Sequence, residues 1–154
     1  MTMQQVSMKD MGLFGPILEQ AIDGVVVIDH ANSVVLFNAA AERMWGLKRE
    51  EVLGRNVSLL VPEEHRKNHD AGIDRNRHGA RNRVVGTTVE VPIVRPDGST
   101  VFGSLSLSRT AIDGCIYYAA FVKDVTEEVR RREELYLLSL VATETDRAVI
   151  ITDR

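Results

Sequence analysis

Histidine and cysteine are the side chains most ready to bind a metal or attack an electrophile, and this chain of 154 residues holds four of the first and one of the second. His65 and His69 stand at i and i+4 in a segment opened by Pro62, so on a helix both imidazoles share one face. That spacing suits a pair of zinc ligands, but no third ligand stands at a matching position and no general-base glutamate lies between the two. A lone histidine on a helix is otherwise most often a surface or core residue. Cys115 by itself excludes an internal disulfide and a thiolate zinc cluster, and is what a reducing compartment permits. No nucleophile elbow, phosphate loop or histidine-containing triad stands at a recognisable spacing, so the reading is not an enzyme.

The elements that must position these residues belong to one domain with an extension. Hydrophobic residues make up 44% and charged residues 27%, enough for a sizeable core. The 19 Lys+Arg are interleaved with 22 Asp+Glu for a net charge of −3, which offers no single-sign field to a phosphate backbone and argues against nucleic acid as a partner. No apolar run approaches the roughly 20 residues of a membrane-spanning helix, and no signal sequence is visible, so a cytoplasmic location without membrane insertion is expected.

Residues 1–13, with four of the five methionines, are expected to be a flexible lead-in. A short helix over Phe14 to Ala21 precedes a β-branched hairpin, Val25 to Asp29 and Val34 to Phe37, turned at Ala31-Asn32-Ser33. Ala39 to Trp45 is helix-forming and stopped by Gly46, and Lys48 to Leu53 repeats the pattern before Gly54. Trp45 and Phe37 read as core. A third helix runs from Glu63 to about His78, with His65, His69, Gly72, Ile73 and Asn76 along one side, and Arg77 and Arg81 read as solvated. Three strands follow, Val84 to Pro92, Val101 to Ser108 and Ile116 to Val122. Thr126 caps a helix to about Thr143 whose apolar residues, among them Val129, Leu135, Leu138 and Val141, lie among charged ones. Ala148 to Asp153 repeats the pattern of Gly24 to Asp29, so residues 144–154 are expected to begin a second, truncated copy of the domain, in a fragment of a longer protein.

This order of elements, with Asn38-x-Ala40-Ala41-Glu42-x-x-Trp45-Gly46, Glu50-Glu51-Val52-Leu53-Gly54, Asp97-Gly98 and Lys123-Asp124-Val125-Thr126, resembles the PAS family of sensory domains. The resemblance implies an α+β fold: a five-stranded antiparallel sheet with helices on one face over 14–125, and a signalling helix over 126–143. Within the family, Pro62 to Leu107 is similar to the haem-binding domains of the oxygen-sensor kinase FixL and of the direct oxygen sensor phosphodiesterase. The steps of 17 residues from His69 to Gly86 and 12 from Gly86 to Gly98 match without a gap. The resemblance implies haem b (iron protoporphyrin IX) with His69 as axial ligand, Arg75 and Arg83 facing the propionates, and Val84, Leu105 and Leu107 flanking a bound gas.

Two departures stand out. The arginine that donates to oxygen in those relatives is replaced by Val89, and the methionine that ligates ferrous iron in the phosphodiesterase is replaced by Thr87. Thr87 or Thr88 remains as a hydroxyl donor. The leading expectation is a haem-based sensor of oxygen, carbon monoxide, nitric oxide or redox state, working as a homodimer. It would regulate an output domain outside this chain, such as a histidine kinase or a cyclic-di-GMP enzyme. The alternative is a cofactor-free PAS module for dimerisation and relay. Cys115 lies away from the helical side where cysteinyl-flavin domains carry their reactive thiol, although a non-covalent flavin would occupy much the same cavity.

Overall fold

The computed structural model describes residues 15–79 and 85–152, with side chains described as far as residue 145. The expected lead-in therefore lies outside the described residues. After a short helical turn at 15–19, strands β1 (Gly24–Ile28) and β2 (Val34–Phe37) form the hairpin that their β-branched residues favour. Asp29 builds its turn: Oδ1 accepts from the backbone N–H of Ala31 at 2.9 Å and of Ser33 at 3.0 Å.

Helix α1 (Ala39–Trp45) starts at Asn38 and stops at Gly46, whose φ of 67° lies in the left-handed region. Asn38 does more than cap. Its Oδ1 accepts from Ala41 N and Val25 N, and its Nδ2 donates to the carbonyls of Leu18 and Asp23, so this fully buried amide ties the 15–23 segment, β1 and α1 together. Helix α2 (Arg49–Val52), 3₁₀ turns at Val57–Leu60 and Glu63–His65, and helix α3 (Arg66–Arg77) complete the helical middle.

Strands β3 (Thr88–Val94), β4 (Thr100–Ile112) and β5 (Cys115–Asp124) close one antiparallel sheet in the order β2-β1-β5-β4-β3. Its register brings apolar residues together across one face. Val26 lies opposite Ala120, Ala120 opposite Leu107, and Leu105 opposite both Val89 and Val122. The core sits between this face and the helical middle, with Phe37 and Trp45 in tilted contact at 5.8 Å. Gly103 is required there: a Cβ would stand 2.6 Å from Val122 Cγ1 and 3.0 Å from Ile93 Cδ1.

Helix α4 runs from Thr126 to Thr152, nine residues beyond the expected end. The strand expected from Ala148 is therefore not formed, and residues 144–152 are helical instead. A strand needs a neighbour for its N–H and C=O groups, whereas a helix satisfies them within the segment. Leu135, Leu137, Leu138 and Val141 of α4 are exposed. No helix among the described residues is long and apolar enough to cross a membrane.

Candidate functional site

Between α3 and the inner face of the sheet lies a cavity of about 560 Å³, a size that suits a small organic ligand or cofactor. The sheet lines it with Val26, Ile28, Val91, Ile93 and Ala120, and the loop before α3 contributes Leu60 and Val61. Polar side chains in the wall are few. Trp45 commits its Nε1–H to the carbonyl of Leu60 at 2.9 Å, and Tyr118 commits its hydroxyl to Oδ1 of Asn76. The remaining ones come mainly from α3 and the turn before it: His65, Asn68 and His69, with Gly72 and Ile73 on the same stripe.

A second groove of about 510 Å³, between the 15–19 turn, β2 and α2, is open to solvent. Arg49 there is matched by Glu19 and by Glu42, 2.9 Å away, and the pairing holds the Glu42 carboxyl below its usual range. Its charges answer one another, so the groove presents no unmet chemistry.

The cavity does. Nδ1 of His69 is buried without a hydrogen-bond partner. Burial pushes the ring's proton affinity down, and the neighbouring carboxylate of Asp70 opposes that only in part, so His69 favours its neutral form. One turn along, a Cβ placed on Gly72 would meet no other atom within 4 Å, so the absent side chain leaves the wall open beside the imidazole. A neutral imidazole against an apolar slot with an open floor fits a flat macrocyclic cofactor that needs one nitrogen ligand.

Of the residues singled out from sequence, the structure gathers His69, Val89, Leu105 and Leu107 around this cavity. Arg75 is exposed and not in the wall, because six residues along a helix from His69 turns it about 120° away from the cavity stripe. Thr87 is exposed and also outside the wall. Gly86, at a φ of 81°, turns the chain and donates to Leu107 O at 3.0 Å, so β3 begins only at Thr88. Arg83 and Val84 lie outside the described residues, as does Arg81, and Val85 is the nearest described neighbour in the wall.

Arg77 corrects the sequence reading, since only 13% of its side chain is exposed. It donates to Asp74 at 2.9 Å, to Oδ1 of Asn32 at 2.7 Å and to the carbonyl of Asp29 at 3.1 Å, and it lies 5.6 Å above the Tyr118 ring. Asp70, Asp74 and Arg77 form a polar stripe of α3 beside the cavity stripe, with Asn56 and Asn32 as its partners. Tyr118 and Trp45 were missed as wall residues. The alternation of β5 could have found Tyr118, since it shares parity with Ala120 and Val122.

A sheet in this order with a helical middle over one face and a cavity between them is the architecture of a small α+β domain with room for a ligand, and the PAS fold model matches residues 14–125. The chain belongs to the PAS family and is a PAS sensor domain. Among its relatives, Oxygen sensor protein DosP of Escherichia coli (strain K12) is 39% identical over 142 residues, covering 92% of this chain and 18% of DosP. Sensor protein FixL of Bradyrhizobium diazoefficiens is 35% identical over 119 residues, 77% of this chain and 24% of FixL. The chain thus spans about a fifth to a quarter of the length of these relatives. The fold is shared with an RNA-binding light-oxygen-voltage receptor, at a TM-score of 0.64 and 23% identity over 95% of this chain and 41% of that one. It is also shared with a PAS domain from Colwellia psychrerythraea, at 0.60 and 18%, covering 76% of this chain and 98% of that one.

Proposed function

We propose that residues 14–125 bind haem b through His69 and sense a diatomic gas or the redox state of the iron. The observation that carries this reading is the half-buried imidazole of His69 in the wall of an apolar cavity, its Nδ1 buried without a partner, in a chain similar to a named oxygen sensor. Haem would supply the iron that takes up oxygen, carbon monoxide or nitric oxide. The chain's own part is to hold a neutral imidazole on one side and exclude water on the other, where Val89, Leu105 and Leu107 meet the ligand. By the resemblance, Arg83 and Val84 are assigned to a cofactor carboxylate and to the gas side, and Arg75, exposed outside the cavity wall, is assigned only to a carboxylate that reaches solvent at the cofactor edge. Thr87 and Thr88 are the hydroxyl residues just before Val89, and the hydroxyl of Thr88 is paired with Ser106 at 3.1 Å.

The gas signal would pass to an output domain such as a kinase or a cyclic-di-GMP enzyme, with two copies of the chain acting together. The test is an absorption spectrum of the purified chain with added haemin. A Soret band that His69→Ala abolishes supports the reading, and a chain that takes up no haemin refutes it. A second reading, a cofactor-free relay and dimerisation module, is favoured by the exposed leucines of α4 and predicts the colourless result.

A further inference from the structure

The carboxylate of Asp70, one residue beyond His69, is fastened by one oxygen only. Asn56 Nδ2 donates to Oδ2 at 3.0 Å, whereas Oδ1 is buried with no partner. Nδ1 of His69 is buried and unpartnered as well. An orphaned buried polar atom is costly, and these two on consecutive residues are complementary: a carboxylate oxygen accepts, and a neutral imidazole donates from whichever nitrogen carries its proton. We propose that Asp70 is a positioning residue for His69, its Oδ1 accepting from a bridging water that in turn accepts from Nδ1–H. The ring is thereby held as the tautomer whose Nε2 is bare.

Asn56 is itself well placed to hold the carboxylate. Its side chain caps the 3₁₀ turn at Val57–Leu60, and its backbone bridges to Ser33 at the end of the β1–β2 turn. The function of this arrangement rests on the haem reading, because a bare Nε2 is what an iron takes and an outer-shell carboxylate raises the basicity of the ligand. The tautomer, by contrast, is a property of the chain alone.

The test begins without haem: ¹⁵N NMR of the histidine-labelled full chain at about pH 8, where the ring is neutral. Wild type is expected to carry the His69 proton mainly on Nδ1. Asp70→Asn, which keeps the shape of the side chain and an acceptor for Asn56, should shift the proton several-fold toward Nε2. Asn56→Ala leaves the charge in place but frees the carboxylate, and should shift it part of the way; it also serves if Asp70→Asn fails to fold. Haemin retention should then fall about 10- to 100-fold in Asp70→Asn. A tautomer ratio unchanged in both variants overturns the role of Asp70 whether or not haemin binds. A wild-type chain that shows the Nδ1–H tautomer and takes up no haemin refutes the haem reading and leaves the positioning role intact.

Discussion

If the chain binds haem as proposed, replacing Val89 by arginine should raise its affinity for oxygen. Val89 is half-buried on β3, faces Leu105 in register, and lines the cavity together with Leu105 and Leu107. These three groups offer no donor, the N–H of Trp45 and the O–H of Tyr118 are already committed elsewhere, and the other polar wall residues named above, His65 and Asn68, stand with His69 on the α3 side of the cavity, not on β3 or β4. A hydrogen bond to a ligand carrying partial charge contributes about 1.5 to 3 kcal/mol, which at 1.4 kcal/mol per decade is roughly 10- to 150-fold in affinity. Carbon monoxide develops little charge and gains far less.

The haem-loaded Val89→Arg variant should therefore bind oxygen roughly 10- to 150-fold more tightly than wild type. Carbon monoxide affinity should stay within a few-fold. Equilibrium titration of the ferrous protein with each gas reads both numbers, and the rate of autoxidation gives a third, expected to fall in the variant. If the wild-type protein already forms a long-lived oxygen complex, a donor stands over the iron after all, with Thr87 the first suspect, and the reasoning from Val89 fails.

Burial holds His69 below the ordinary histidine value of about 6.5, so just below that pH the unfolded chain binds more protons than the folded one. Stability of the haem-free protein should consequently rise with pH through that window and be lost as pH falls, and His69→Leu should flatten this part of a denaturant-midpoint curve against pH. Gly103→Ala forces a Cβ against Val122 and Ile93 and should destabilise the fold by about 1–3 kcal/mol, read as a lower midpoint in thermal or urea unfolding. The exposed Leu135, Leu138 and Val141 of α4 are expected to pair with a second copy, so light scattering should find a dimer that truncation at Thr126 converts to monomer; a monomeric full chain at tens of micromolar would contradict this.

The sheet was legible because its strands are β-branched runs broken by turn residues, and α1 because Asn38 and Gly46 mark its two ends. Periodicity also placed His69 beside Gly72 and Ile73 on the inner stripe of α3. What periodicity could not supply was the third dimension of the polar residues. Arg77 carries a charge and reads as solvated, yet its guanidinium finds acceptors on a turn 45 residues earlier in the chain, and no local pattern announces such a partner. Arg75, two positions before it, carries the same charge and stays exposed. The end of α4 was misread for the opposite reason. A β-branched run such as Val149-Ile150-Ile151 states a preference only, and here the helix continues through it.

The unbroken course of α4 has a mechanical consequence. Its 27 residues make a shaft of about 40 Å at roughly 1.5 Å per residue, and every residue along it fixes an angle of about 100° as well as a rise. Adding or removing one residue in the exposed stretch after Arg132 would turn everything beyond it by almost a third of a revolution while moving it hardly at all. A seven-residue insertion would return it to within about 20° of its original bearing, displaced by about two turns of pitch. In such an element the number of residues is itself a setting, independent of which residues they are.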